Sequence, residues 1–275
     1  MSRRQVLQAI AECEAEGRFD VHVDPIPEEL IVPVTQDFEY PCYRRGLRRM
    51  LNYIEKAFIV WPFIWFQNKF VLRTRVEGRE NLKGLRAAVI TCNHVAKFDC
   101  LAVKYAAFGH RTYTVAAPFN NMKGFFGDMM RAGDMMPMSE SFHAQCNFYR
   151  AVKDVLVQKK QFLVMYPEAA MWWHYKKPRP FKPGAFHMAA KYGAPVVPTF
   201  ITFRDSGKKD AEGLPKYYFT LHITPPIYPK SELSLKENKD YLCREAFEAC
   251  RRVYESSYGV KLEYECYRRR DDDNA

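Results

Sequence analysis

The most constraining feature of this 275-residue sequence is the alternation, beyond residue 86, of short apolar runs with segments of helical periodicity. Apolar residues spaced three and four positions apart predict helices over residues 99–108, 142–160, 184–192 and 236–258. Strands that alternate with helices are typical of an α/β domain, so we expect a central, mostly parallel sheet flanked by helices. The runs that predict the strands are Ala87–Cys92, Thr112–Ala116, Phe162–Tyr166, Val196–Phe203 and Tyr217–Ile223.

Composition divides the chain into four parts. Residues 1–45 are predicted to form an acidic helix followed by a proline-containing connector, and residues 46–72 an amphipathic, aromatic segment. Residues 73–260 hold the alternating pattern and are predicted to form the α/β domain. Residues 261–275 are predicted to be a charged C-terminal tail, in which Arg268–Asp273 is of low complexity.

The formal net charge of +10 is unevenly distributed. Residues 1–40 carry three basic and nine acidic side chains, whereas residues 41–86 carry eleven basic and three acidic ones. A basic segment of this kind points to an anionic partner. Because no helix-turn-helix, zinc-finger or RNA-binding signature is present, we expect no nucleic-acid partner. The basic groups flank the most apolar part of the chain, which favours a membrane surface containing anionic lipids.

Residues 46–72 are predicted to form a helix that lies on the membrane surface. The ten uncharged residues 57–66 are too few to span a hydrocarbon core, which takes about 20, and Pro62 interrupts them. Aromatic rings beside cationic side chains are typical of the headgroup layer. A core helix packed against the domain is the alternative. The residues predicted to contact the membrane are Arg48, Arg49, Trp61, Phe63, Trp65 and Phe66.

The eight cysteines are scattered, with no Cys-x2-Cys spacing and no signal peptide ahead of them. This pattern argues against a zinc site and against a disulfide framework. We therefore expect reduced thiols, no bound metal, and a protein at the cytoplasmic face of a membrane as a peripheral or monotopic component.

A histidine and an aspartate follow the first predicted strand of the domain at a spacing of five residues. A carboxylate at that distance from His94 can accept a hydrogen bond from one ring nitrogen and fix the tautomer. The other nitrogen is then free to remove a proton from a hydroxyl group. His94 and Asp99 are thus candidates for a general base and its orienting partner, and a substrate with its own hydroxyl indicates group transfer. A purely structural pair at a helix start is the alternative.

Four motifs occur in order along the predicted domain. They are Val76-Glu77-Gly78-Arg79-Glu80-Asn81-Leu82, Asn93-His94-(x4)-Asp99, Tyr166-Pro167-Glu168, and Phe181-Lys182-Pro183-Gly184-Ala185-Phe186 followed by Ala194-Pro195-Val196-Val197-Pro198. Together they resemble the lysophospholipid, or 1-acylglycerol-3-phosphate, acyltransferases over roughly residues 72–225. The resemblance implies acyl transfer from acyl-CoA or acyl carrier protein, as co-substrate, to the hydroxyl of a lysolipid acceptor, with no further cofactor and an acyltransferase domain at residues 73–260.

Two departures from the family pattern concern the acceptor. Met171 stands where the family has an arginine that helps to hold the acceptor's phosphate, and Ser139 stands in place of a second. A cluster of cations could compensate, since lysine serves as a point charge for phosphate. Its members are Lys176, Lys177, Arg179, Lys182 and Lys191. Trp172, Trp173 and His174 could alternatively line a pocket for a sugar or larger polar headgroup. The predicted substrate-binding residues are Asn93, Glu168, Lys182, Arg179 and Trp172.

The sequence leaves several functions open. The default acceptor is 1-acylglycerol-3-phosphate, within phospholipid or glycerolipid synthesis, and a non-phosphate or glycolipid acceptor is the first alternative. A non-catalytic membrane lipid-binding protein and an acyl thioesterase are further alternatives. A methionine-rich patch (Met129, Met130, Met135, Met136 and Met138) is predicted to be core or the wall of an acyl-chain tunnel.

Overall fold

The computed structural model describes residues 1–267 and contains a seven-stranded sheet in the order β1-β7-β6-β2-β5-β3-β4. The five strands from β6 to β4 are mutually parallel, β7 runs antiparallel to β6, and β1 is parallel to β7. The predicted mostly parallel sheet is therefore confirmed. The strands are β1 (Arg75–Glu77), β2 (Ala88–Thr91), β3 (Thr112–Ala116), β4 (Met135–Pro137), β5 (Phe162–Met165), β6 (Val196–Lys209) and β7 (Pro215–Ile223).

Helices flank this sheet, and most agree with the predicted spans. Sequence reasoning missed the two short strands β1 and β4, because three-residue strands carry too few side chains to show a period. It also missed the helix α5. The α-helices are α1 (Arg3–Ala15), α2 (Gly46–Glu55), α3 (Trp61–Phe66), α4 (Asp99–Ala106), α5 (Gly124–Ala132), α6 (Phe142–Lys153), α7 (Gly184–Tyr192) and α8 (Leu235–Tyr258).

Both faces of the sheet are covered, which explains the continuous apolar runs of its strands. Successive side chains of a strand point to opposite faces. Val89 of β2 therefore packs in one core cluster with Phe148 of α6 and Leu242 of α8, while its neighbour Ile90 packs in a second cluster with Ala102 of α4.

Residues 46–71 form one helical rod, here called the entry helix, in which π-helical turns over Lys56–Val60 and Gln67–Val71 join and extend α2 and α3. The rod continues through Pro62 because the preceding turn is wide, with the Trp61 amide donating to the Lys56 carbonyl. The buried face of the rod carries Asn52, Val60, Ile64 and Asn68. Among the described residues, no helix is both long enough and apolar enough to cross a bilayer.

The apolar face predicted for the entry helix points away from the core. Phe58 is 78% exposed, and Trp65 and Phe66 are each about half exposed. Trp61 and Phe63 are half-buried instead, against Phe108 and Phe98. Further exposed apolar residues on this rod are Leu47, Met50, Leu51, Ile54 and Phe70.

The connector after α1 lies across the carboxyl ends of the parallel strands, and we call residues 18–40 the strap. The Val32 amide donates to the Asn121 carbonyl at 2.7 Å, beyond the end of β3. The Ser139 hydroxyl donates to the Val34 carbonyl at 2.8 Å, beyond the end of β4. The strap is therefore built into the edge of the sheet where α/β proteins place their active sites.

Part of the predicted C-terminal tail is packed rather than solvated. Tyr264 and Cys266 are buried with Val6 and Ile10 of α1, so residues up to 267 belong to the folded body. The low-complexity stretch Arg268–Asp273 lies outside the described residues.

Candidate active site

His94 lies just beyond the carboxyl end of β2, and Asp99 is the first residue of α4. His94 Nδ1 is 2.7 Å from Asp99 Oδ2, and the same oxygen accepts from the amides of Val95 at 2.9 Å and Ala96 at 3.3 Å. This carboxylate oxygen thus accepts two amide protons and lies within hydrogen-bond distance of the ring nitrogen. Nδ1 therefore carries the proton, and Nε2 presents its lone pair.

The surroundings of the pair hold the imidazole ring in one orientation. The Asp99 side chain is 1% exposed, whereas that of His94 is 25% exposed. The ring stacks on Tyr166, with centroids 4.3 Å apart. Two cysteines lie close by, but burial raises the pKa of Cys92 well above its usual range and that of Cys100 to about 12. Both thiols are therefore kept in the neutral form.

Asn93, predicted to bind substrate, is instead a clamp between two strands. Its amide nitrogen donates to the Ile201 carbonyl at 3.0 Å, and its oxygen accepts from the Ile201 amide at 2.7 Å. With a side chain 1% exposed, Asn93 holds the end of β2 against β6 and so fixes where His94 leaves the sheet.

Glu168 and Arg179, also predicted to bind substrate, form a fully buried ion pair at 2.7 Å behind His94. Glu168 Oε2 accepts from the His94 amide at 3.1 Å, and Arg179 Nη2 donates to the His94 carbonyl at 3.4 Å. The guanidinium also donates to the carbonyls of Phe19 and Ala170. The carboxylate oxygens of Glu168 and the guanidinium nitrogens of Arg179 are therefore engaged within the protein. The pair holds the backbone of His94 and presents no free polar group to a ligand.

Trp172 is likewise placed in the interior rather than against a substrate. It is fully buried, its indole nitrogen donates to the Val21 carbonyl at 2.9 Å, and the Arg179 guanidinium lies 4.6 Å from its ring. The Trp172 side chain therefore secures the strap. Next to it, Trp173 stacks on His174 with centroids 3.9 Å apart, so these two rings contact each other.

The cation cluster predicted to replace the missing arginines is largely paired. Lys182 lies 2.6 Å from Asp20, and Lys177 lies 2.6 Å from Glu14. Lys176 lies over the ring of Tyr217 at 5.6 Å. Of the two positions that depart from the family pattern, Ser139 is buried and bonded to the strap, and Met171 supplies no charge.

The methionine-rich patch is divided. Met135 and Met136 are buried, as predicted for core, whereas Met138 is 38% exposed.

Sequence reasoning missed the contribution of the strap to this site. His22 lies close enough to His94 and Arg179 for their charges to act on it, and after burial these lower its pKa. Lys97, in the loop between His94 and Asp99, is 3.0 Å from Asp24. The only sequence signal was the excess of acids in residues 1–40, which by itself does not say where those acids lie.

Comparison with known proteins agrees with this geometry. Residues 73–202 match the model of the family described as Acyltransferase. The chain is similar in structure to a crystal structure of the 1-acyl-sn-glycerophosphate (LPA) acyltransferase PlsC from Thermotoga maritima, with a TM-score of 0.51 and 19% identity, over 78% of this chain and 96% of that one. At that identity the similarity establishes the fold. No curated protein matches the sequence. Residues 73–202 are therefore a region of the Acyltransferase family, and within it His94 and Asp99 meet at the carboxyl edge of the sheet.

Proposed function

We propose that this O-acyltransferase moves a fatty acyl group from a thioester, acyl-CoA or acyl carrier protein, to the hydroxyl of a lysophospholipid. The observation that carries the proposal is the 2.7 Å contact between His94 Nδ1 and the buried Asp99, which leaves Nε2 available on a partly exposed ring. The family of the domain supplies the reaction type. No nucleophilic side chain is required, because the acceptor brings the oxygen that attacks.

The reaction proceeds in two proton-coupled steps. His94 Nε2 removes the proton from the acceptor hydroxyl as its oxygen bonds to the thioester carbon, and Asp99 stabilises the imidazolium that forms. The tetrahedral oxyanion then collapses, the carbon–sulfur bond breaks, and the leaving thiolate takes the proton from His94. The products are an ester and a free thiol. Holding both substrates at one base supplies much of the rate by proximity.

The entry helix supports a site of action at the cytoplasmic face of a membrane. Its outward face exposes Phe58, Trp65 and Phe66, and its first turn carries Arg48 and Arg49. Such a face is suited to the headgroup layer of anionic lipids. Both substrates with acyl chains would then reach the site from the bilayer.

The first acceptor to test is 1-acylglycerol-3-phosphate. The similar solved structure is that of an enzyme for this acceptor, which supports the choice of lysophospholipids as a class. The absence of both expected arginines, at Met171 and Ser139, makes the headgroup a separate question.

Replacement of the base is the test of the mechanism. We expect His94→Ala to lower thiol release from acyl-CoA in the presence of lysophospholipid by at least about 100-fold, since a positioned general base contributes that much. His143→Ala is the matched control, because His143 is exposed on α6. Circular dichroism and thermal unfolding of both variants establish that they fold.

Three results would contradict the proposal. Transfer by His94→Ala at the rate of the unchanged protein would remove the base from the mechanism. Thiol release that does not need an acceptor would indicate a thioesterase. Lipid binding without thiol release across a panel of acceptors and donors would indicate a non-catalytic lipid-binding protein.

A further inference from the structure

Two ion pairs connect the strap to segments next to His94 and Glu168, and in each pair the carboxylate comes from the strap. Lys97 Nζ is 3.0 Å from Asp24 Oδ2, and Lys182 Nζ is 2.6 Å from Asp20 Oδ2. All four side chains remain in contact with water, the aspartates at 52% for Asp20 and 27% for Asp24. Ion pairs with this exposure are weak and can exchange partners with a charged ligand.

Both pairs lie beside the base. Lys97 is three residues beyond His94 in the same loop. The Lys182 amide donates to the carbonyl of Pro167 at 2.7 Å, next to the glutamate that holds the His94 backbone. Four residues of extended chain span at most about 14 Å, which limits the distance between Asp20 and Asp24.

The strap keeps these aspartates in place. Phe19 and Val23 are buried, and the Phe19 and Val21 carbonyls accept from Arg179 and Trp172. The two lysine–aspartate pairs, here called the charge ring, therefore connect an anchored segment of the strap to the loops beside His94.

The charges of this ring balance. Each lysine is offset by an aspartate, and Arg179 behind His94 is paired with Glu168. A phosphomonoester headgroup carries about −1.5 to −2 charges at pH 7. To bind both lysines, this headgroup would have to displace both aspartates and would then remain close to the negative charges of those aspartates. Like charges placed together in this way disfavour a ligand.

We propose, building on the acyl transfer inferred above, that the preferred acceptor is a lysophospholipid with a zwitterionic headgroup. Its phosphodiester takes the place of an aspartate at Lys97 or Lys182, and its ammonium takes the place of a lysine at Asp24 or Asp20. The exchange conserves the net charge of the ring, so neither sign is left unpaired. Asp20 and Asp24 are specificity residues in this assignment, and the strap is a substrate-binding element.

The experiment compares acceptors that share one acyl chain and differ in headgroup. Lysophosphatidylethanolamine, lysophosphatidylcholine, 1-acylglycerol-3-phosphate and a monoacylglycerol are each presented at the same low mole fraction in phosphatidylcholine vesicles, and thiol release from acyl-CoA is measured with the full chain. We expect kcat/KM for the zwitterionic acceptors to exceed that for the phosphomonoester by about tenfold, as two weak ion pairs allow.

The variants separate charge at the ring from charge elsewhere on the strap. Asp20→Asn with Asp24→Asn should lower the ratio of zwitterion to phosphomonoester activity about tenfold, because it leaves a surplus of two positive charges. Glu28→Gln with Glu29→Gln is the matched control, since it removes two exposed acids of the same strap that form no ion pair within residues 1–267. The control should leave the ratio unchanged.

The outcomes distinguish this inference from the proposed function. Transfer in which the phosphomonoester or the monoacylglycerol is the best acceptor overturns the zwitterionic assignment and leaves acyl transfer standing. An unchanged ratio in the Asp20 and Asp24 variant overturns it as well. No thiol release with any acceptor overturns the proposed function itself.

Discussion

His94 is positioned by local and distant contacts together. Asp99 is only five residues away, so one loop and the start of one helix bring the His94 ring and the Asp99 carboxylate together. The backbone of His94 is held from 74 residues away by Glu168, through its amide. The two side chains of the candidate catalytic pair thus come from one motif. The position of the His94 backbone depends on a buried ion pair formed elsewhere in the sequence.

His174 gives a residue-level prediction about pH. Burial, followed by the charge of Arg3, lowers the pKa of His174 to about 4, against 6.5 in the unfolded chain. Between those values the unfolded chain binds a proton that the folded chain does not, so stability is complete above pH 6.5 and falls as the pH drops towards 4. The loss amounts to about 2–3 kcal/mol.

Asparagine tolerates the positive φ of 56° at this position, so His174→Asn tests the effect without backbone strain. We expect the variant to show a flatter dependence of the free energy of unfolding on pH between 4.5 and 7, measured by urea denaturation. His143→Asn serves as the control on an exposed histidine. An identical slope in the His174 variant and the unchanged protein would contradict this assignment.

At the scale of elements, the entry helix is attached to the sheet by one buried carboxylate. Asp134, 5% exposed, binds Lys56 of the helix at 2.5 Å and Arg111 at 2.8 Å. Charges removed from water in this way depend on their partners, because an unpaired buried cation is costly. The network therefore decides where the exposed apolar face of the helix points.

Asp134→Asn should lower the free energy of unfolding by about 3 kcal/mol, since it strips two cations of their counter-ion. Asparagine is compatible with the positive φ of 66°, so the loss reports on charge. Asp128→Asn is the matched control, because its carboxylate pairs with Arg131 while 69% exposed and is expected to cost less than about 1 kcal/mol. Equal losses in urea denaturation would contradict the prediction.

Membrane binding by the exposed face of the entry helix can be tested by introducing one charged side chain. Phe58→Asp should reduce partition onto anionic vesicles by about tenfold or more, because burial of one phenylalanine side chain contributes about 1.5–3 kcal/mol. Phe142→Asp introduces the same change at a site 74% exposed on α6 and should leave vesicle binding unchanged. Cosedimentation measures both, and equal losses would show that the helix is not the membrane contact.

In the molecule as a whole, the region that matches the Acyltransferase model shares its core with elements on either side of it. Residues 73–202 end inside β6, which continues to Lys209 and pairs along its length with β7. Phe200 packs against Cys250 and Tyr254 of α8. The strap and α8 thus cover surfaces that residues 73–202 alone would leave in water.

A fragment of residues 73–202 should therefore show no cooperative thermal transition, whereas residues 1–267 should unfold as cooperatively as the full chain. The physical reason is the loss of β7 and α8 from a sheet whose strands are buried on both faces. Scanning calorimetry measures both fragments. A sharp transition in the shorter fragment would show that the domain folds without its flanking elements.

Sequence reasoning succeeded where the responsible contacts are short in range. The strands β3 and β5 and the helix α7 follow from apolar runs and from spacing, and the His94–Asp99 pair follows from one motif. It failed for Arg179 and Trp172, which were expected at the substrate and are buried beneath the strap. The sequence of a motif does not distinguish a polar or aromatic residue that contacts a ligand from one that supports a neighbouring ligand-binding group.

The fold class, the similarity to acyltransferases and the exposed apolar character of the entry helix could be predicted from the sequence, because periodicity, short motifs and a five-residue spacing act within one element or loop. Only the tertiary structure decided that the acidic connector crosses the carboxyl edge of the sheet and places Asp20 and Asp24 on the two lysines beside the base. Those contacts join residues 73 and more than 160 positions apart. Such pairings depend on chain topology and packing, which no local pattern encodes.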